Sequence, residues 1–446
     1  MLIRFVVSNF LSFDEEREFN MLAGSFKTHK HQVYSAGKVD VLKAAAIYGA
    51  NGAGKSNFIK AIEFLQEIII EGGIKKNVNE KKFKLNKSNA EKPITLEIEF
   101  SIEKKIYSYG VSLNHSSVTE EWLYESGVSI EDKMIFERKL LETGKRTIKI
   151  ADKYQKTAKQ RLLKELLEES LLKPGELLLG KFEELKIDVV ELAHKYIQQR
   201  LIIIHPNSKF QNFIPQLSYS KRFGLFANEL LQTFDTGVTK IALETIDFDN
   251  YFGSEDAELK AEIIGELEED DDIVLTRENG NVLITKENNK IVVKKMMALH
   301  LAEDGQDISF EFENESDGTR RLLDFIPAFD GILQHDVTFI IDEIDQSLHP
   351  ALLKALVHKI MTDEATKGQL IFTTHESNLL DLDIFRQDEI WFVEKDRKTG
   401  GSQLYSLSEF KPRYDLDIRK GYLKGRFGAI PFLASLEDLK WQLEDA

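Results

Sequence analysis

The sequence predicts an α/β fold opened by a large insertion of helices and strands. Three observations predict it. Residues 49–56 read Gly49-Ala50-Asn51-Gly52-Ala53-Gly54-Lys55-Ser56, between an apolar run and an amphipathic stretch through Phe58, Ile59, Ile62, Leu65 and Ile69. Much later, the apolar run Val337-Thr338-Phe339-Ile340-Ile341 ends in Asp342-Glu343. A second one, Gln369-Leu370-Ile371-Phe372-Thr373-Thr374, ends in His375. Strand, glycine loop and helix, followed by strands that end in polar groups, describe a parallel sheet covered by helices.

The glycine run fits G-x-x-x-x-G-K-[ST], the phosphate-cradling P-loop. Glycines let the chain turn tightly and aim successive backbone N–H groups at phosphate oxygens. Asn51, Gly52, Ala53, Gly54, Lys55, Ser56 and Asn57 are therefore candidate nucleotide ligands. Lys55 reaches for the β- and γ-phosphates, and the Ser56 hydroxyl is a candidate Mg²⁺ ligand. After a P-loop, an apolar strand ending in two acids reads as a Walker B strand. Asp342 is then the second metal ligand, and Glu343 the general base that polarises the attacking water. ATP and Mg²⁺ are the expected cofactors.

Along the chain, residues 2–7 and 17–21 read as two short strands, and 41–71 as the P-loop unit. Residues 94–102 and 106–113 form a hairpin around Glu103-Lys104-Lys105, with further strands near Ile135 and Thr147. From 151 to 200 the pattern turns helical, broken at Pro174-Gly175, with one helix expected over 182–199. Residues 201–255 carry no clear period. An acidic loop ending at Asp272 precedes a β meander whose first turn falls at Glu278-Asn279-Gly280-Asn281. Glu315-Ser316-Asp317-Gly318-Thr319-Arg320-Arg321 opens a helix in which Pro327 is expected to force a kink. A serine and a glycine at a helix start serve as an ordinary N-cap or as an anion site.

The gap between Lys55 and Asp342 exceeds what a compact nucleotide-binding unit needs. The expected organisation is an ATPase core in two parts, 1–115 and 296–446, around a side lobe at 116–295. The formal net charge is −16, which argues against a uniformly basic, nucleic-acid-coated surface. Lys145, Arg146, Lys149, Lys153, Lys156, Lys159, Arg161 and Lys164 nevertheless cluster, either as a solvated helix face or as a contact for DNA. The chain has no cysteine, which excludes disulfides and thiolate metal sites. No apolar run is long enough to span a membrane, and a cytoplasmic location is expected.

The order P-loop, Ser-x-Gly helix, Asp-Glu strand, Asp345 turn, strand-His375 resembles the ATP-binding cassette (ABC) ATPases. It is closest to their branch with SMC, RecF and OLD proteins, whose opening strand resembles Ile3-Arg4-Phe5 with Asn9-Phe10-Leu11-Ser12-Phe13 here. The resemblance implies a P-loop NTPase of ABC ATPase type with an inserted helical plus β side lobe. It also implies a homodimer or higher homo-oligomer in which Ser316 and Gly318 of one protomer cap the γ-phosphate on the other's P-loop. His375 would be the catalytic switch histidine and Asp345 the D-loop acid. Glu315 and Asp317 depart from the common Leu-Ser-Gly-Gly signature, and no Q-loop glutamine is assigned.

Within that branch the chain looks most like bacterial anti-phage ATPases of the RloA, abortive-infection and PARIS types. The carriers are Ser-Asn-Phe-Leu-Ser-Phe, Gly-Ala-Asn-Gly-Ala-Gly-Lys-Ser, Glu-Ser-Asp-Gly-Thr-Arg-Arg, Asp-Glu-Ile-Asp-Gln-Ser-Leu-His-Pro and the glycine-rich tail 420–431. Such a protein would sense infection and control a separate effector, a toxin or nuclease. A DNA-repair or DNA-clamp ATPase is the alternative, with DNA as its partner; a transporter subunit fits less well.

Overall fold

The computed structural model describes every residue except 27, 128–130, 142, 209–212, 254–255, 270–271, 278–279, 414–415 and 431–446. It divides into two compact units. One comprises Met1–Pro206, His335–Ile344 and Leu356–Ala446, the other Asn207–Gln334 and Asp345–Ala355.

The first unit holds a six-stranded sheet in the order Leu201–Ile204, Thr338–Ile341, Gln369–Thr374, Ala44–Tyr48, Ile390–Lys395 and Ser402–Ser406. The first five strands are parallel and the last is antiparallel. A seven-stranded antiparallel sheet runs Arg146–Ile150, Lys133–Leu140, Ser117–Ser126, Lys105–Asn114, Ile94–Ile102, Leu2–Ser8 and Arg17–Asn20. Residues Ile94, Leu96, Ile98 and Phe100 alternate inward, as a half-buried strand requires. The hairpin turn sits where expected, with Glu103 and Lys104 both at positive φ.

The P-loop helix, Lys55–Ile70, shares one core with both sheets. Its Phe58 ring meets Phe5, Phe13 and Phe19 at centroid distances of 5.8, 6.4 and 5.2 Å. The helix expected over 182–199 is two pieces, Phe182–Leu185 and Asp188–Gln199, because Lys186 takes a left-handed conformation that ends the first. The tail forms a short helix, Ile418–Leu423, and Tyr422 and Phe427 stack on Phe392 of the parallel sheet. It is a docking segment, and Pro431 lies outside the described residues.

The second unit contains an antiparallel sheet in the order Lys240–Asp247, Lys290–Leu301, Gly280–Glu287, Asp272–Arg277, with Asp307–Glu311 paired to Lys290–Leu301. The acidic stretch is not a loop up to that sheet. It folds as the helix Ala257–Glu269, because Leu259, Ile263 and Leu267 recur every four residues and pack with Val282, Ile284 and Val293. Of the expected turn at 278–281, the first two residues lie outside the described set, and Gly280 has φ +100°. Pro327 lies inside one continuous helix, Asp317–Gln334.

These units differ from the division into 1–115, 116–295 and 296–446. Residues 116–206 belong with the P-loop, because Ser117–Ser126 pairs with Lys105–Asn114 and Leu201–Ile204 pairs with Thr338–Ile341. The helix Asp317–Gln334 belongs instead with the smaller sheet's unit.

Candidate nucleotide-binding site

The P-loop strand Ala44–Tyr48 is buried throughout, and its three alanines suit a strand covered on both faces. At its end the chain turns through 49–54. A Cβ on Gly49 would fall 2.4 Å from the Val393 carbonyl oxygen, so only glycine fits that approach. Gly54 caps the helix at φ +119°. There a Cβ would strike the Ser402 Oγ at 2.3 Å and the Ser12 Oγ at 2.8 Å. Ser402 also donates from Oγ to the Ala53 carbonyl at 2.6 Å, and its N–H donates to the Ser12 carbonyl at 2.7 Å. The loop is thus braced from behind by two serines far away in sequence. Ser12 Oγ is buried without a hydrogen-bond partner among the described residues.

The first turn of the helix presents the positive end of its dipole. Lys55 is 5% exposed, and its Nζ donates to the carbonyl oxygens of Gly49 at 2.8 Å and Ala50 at 3.3 Å. Asn51 and Gly52 are exposed, Ala53 and Gly54 buried, and Ser56 and Asn57 half-buried.

Register brings the acids to the same edge. Gln369–Thr374 lies between the P-loop strand and Thr338–Ile341, with Thr374 opposite Tyr48 and Phe372 opposite Ile341. All three are parallel, so the P-loop, Asp342-Glu343 and His375 leave the sheet at its carboxyl edge, where ligands of open α/β sheets bind. Two strand spacings, about 10 Å of backbone, separate the loop from the acids.

Asp342 is 4% exposed, and its N–H donates to the Ile204 carbonyl at 2.8 Å. Glu343 is half-buried at φ +52°. Thr373 Oγ1 donates to Asp342 Oδ1 at 2.5 Å and accepts the Glu343 N–H at 2.8 Å. His375 is exposed. Asp342 and Ser56 offer hard oxygen donors, and Mg²⁺ is held by one or two protein ligands together with waters and substrate phosphates. The residues present therefore fit that ion. Among the described residues no group of three or more His, Cys, Asp or Glu could hold a metal.

Ser316 and Gly318 lie in the other unit. Ser316 Oγ accepts the Thr319 N–H at 3.2 Å, capping the helix Asp317–Gln334 in the ordinary way, and Ser316 is exposed. A Cβ on Gly318 would lie 3.0 Å from the Ser347 carbonyl oxygen, which places the start of this helix against the turn that carries Asp345.

The sequence matches the family described as "AAA domain, putative AbiEii toxin, Type IV TA system" over residues 44–178 and 206–381. The chain belongs to this AAA-domain family. The two matched stretches include residues 49–56 and Asp342-Glu343. No curated protein matches. Among solved structures the chain is similar to the SMC head domain of Thermotoga maritima, at 13% identity over 91% of this chain and 98% of that one, with a TM-score of 0.42. It is also similar to an SMC head from Pyrococcus furiosus with an extended coiled coil bound to the C-terminal domain of ScpA. There the identity is 15% over 95% and 99% of the two chains, with a TM-score of 0.42.

Sequence reasoning did not single out Thr373 or Ser402, or assign Ser12 to the P-loop. Two consecutive threonines ending an apolar strand were the available signal for Thr373. Ser402 carries none, since its contact exists only through the pairing of Ser402–Ser406 with Ile390–Lys395.

Proposed function

We propose that this AAA-domain protein binds and hydrolyses ATP with Mg²⁺, and that it uses the cycle to control a separate effector in antiviral defence. The observation that supports hydrolysis is the strand register that brings the P-loop and Asp342-Glu343 to one sheet edge. Backbone N–H groups of 51–57 cradle the phosphates, and Lys55 moves from the Gly49 and Ala50 carbonyls to the β- and γ-oxygens. Ser56 and Asp342 hold the ion, which when bound neutralises charge on the transferring phosphoryl group. Glu343 takes the proton of the attacking water, and His375 orients on the γ-phosphate. Ser316 and Gly318 of a second protomer complete each site. The antiviral role and the separate effector rest on the motif resemblance, while the family's description names a toxin of a Type IV toxin–antitoxin system.

Glu343→Gln keeps shape and removes the base, so turnover should fall about 100-fold or more while ATP stays bound. Lys55→Ala should weaken nucleotide binding itself and abolish phage restriction in cells. Wild-type turnover in Glu343→Gln would remove Glu343 from the mechanism, and full restriction by Lys55→Ala would uncouple defence from ATP.

One observation favours a second reading, an ATPase acting on DNA. Lys75, Lys76, Lys81, Lys84, Lys87 and Lys92 are exposed within one short segment, and Lys84 and Lys87 line a concavity of about 330 Å³. In the block at 145–164, Lys149 pairs with Glu137 at 3.3 Å and Lys164 with Glu168 at 3.3 Å. DNA affinity that falls steeply with salt is the mark of this second reading.

A further inference from the structure

Both Walker B acids hang on a single side chain. We propose that Thr373 is a positioning residue for hydrolysis, orienting the metal-ligand carboxylate and the general base together. The inference rests on the reading of Asp342 and Glu343 given above.

Thr373 is fully buried, and the residues before it in the strand are Leu370, Ile371 and Phe372. On packing grounds a buried strand position of this kind suits valine, which has the same shape. The hydroxyl is the atom that needs a reason. A threonine hydroxyl has one proton to give and lone pairs to receive. Here the proton goes to Asp342 Oδ1 at 2.5 Å, and a lone pair receives the Glu343 N–H at 2.8 Å. The Thr373 carbonyl oxygen then accepts the Ile344 N–H at 3.1 Å.

Three consecutive residues are therefore held by one. The middle one is in the left-handed region, at φ +52°, where a side chain other than glycine sits only if its surroundings impose it. Bonds on either side of that backbone supply the imposition. The bond to Oδ1 orients the Asp342 carboxylate. Groups that orient a metal ligand or a base from behind are commonly worth about 10–100-fold in metal affinity or rate.

The test compares Thr373→Val, Thr373→Ser and Glu343→Gln. Turnover is measured, together with Mn²⁺ binding to the full chain carrying a non-hydrolysable ATP analogue, read by electron paramagnetic resonance. Thr373→Val should lower kcat about 10–100-fold and weaken Mn²⁺ about 10-fold, with analogue affinity in the absence of metal unchanged. Thr373→Ser should restore both, since it keeps the hydroxyl. Wild-type kcat and Mn²⁺ affinity in Thr373→Val, beside an inactive Glu343→Gln, overturn the inference and leave the site reading standing. A Ser variant as impaired as Val also overturns it, because packing would then be the cause. An active Glu343→Gln overturns the site reading instead, and Mn²⁺ binding still judges Thr373 alone. If Thr373→Val does not fold, Thr373→Ala takes the same measurements.

Discussion

Glu389 sits fully buried just before the strand Ile390–Lys395, where one carboxylate oxygen accepts the Arg386 N–H at 2.8 Å. Burial pushes its pKa well above the ordinary 4.5; Asp388 adds to that, while the Arg386 bond and Lys43 oppose it. A carboxyl whose folded pKa is raised contributes stability that is fully present below its unfolded pKa and is lost as pH rises through the folded one. Glu389→Gln should therefore match wild type near pH 4 and melt several degrees higher at pH 8, in thermal scans across that range. A constant difference at all pH values would sink the argument. The same scale separates what was legible in the site from what was not. In the proposed site, phosphate and metal chemistry would restrict Gly54, Lys55, Ser56, Asp342 and Glu343 to few residue types at set spacings, which is why a bare sequence points to them. Thr373, Ser12 and Ser402 act across strands, and only the register decides what their hydroxyls touch.

Gln369, at the start of its strand, joins the two sheets of the P-loop unit. Its Oε1 accepts the Leu2 N–H at 2.6 Å and the Thr338 hydroxyl at 3.0 Å, and its Nε2 donates to the Leu2 and Leu42 carbonyls at 3.0 Å each. Gln369→Leu leaves these buried groups unpaired, at about 1–3 kcal/mol each, so a loss above about 3 kcal/mol is expected. Urea denaturation with an unchanged m-value measures it, and a loss under about 1 kcal/mol would make the amide incidental. Elements with a clean period were readable, among them Ile94–Ile102, Lys55–Ile70 and Gln369–Thr374. Ser117–Ser126 was not, because Glu120 and Glu121 mimic a solvated loop. Glu121 is in fact buried beside Arg138 at 3.6 Å and accepts the Leu178 and Leu179 N–H groups at 2.7 and 2.8 Å. Leu201–Ile204 is four apolar residues, too short to declare a period, and it is a strand because Thr338–Ile341 gives it a parallel edge.

At the scale of the whole protein, the proposed head-to-tail pairing makes turnover a property of two chains. Lys55→Ala and Ser316→Arg should each be nearly inactive alone. Mixed in equal amounts, with exchange of subunits, they should recover about a quarter of wild-type turnover, since half of random pairs are hybrids with one whole site. No recovery, with exchange demonstrated by labelled chains, would place each site within one chain. The alternation of the fold between early and late sequence has a further consequence, for the order of events on the ribosome. Lys55 is made early, yet both strands that flank Ala44–Tyr48 come from residues 369–395, and the serine that braces Gly54 is residue 402. At about 5–20 residues per second, the nascent chain carries an unclosed P-loop for tens of seconds. A chain stalled or cut before that point holds residues 49–56 without the strands and the serine that flank them in the fold.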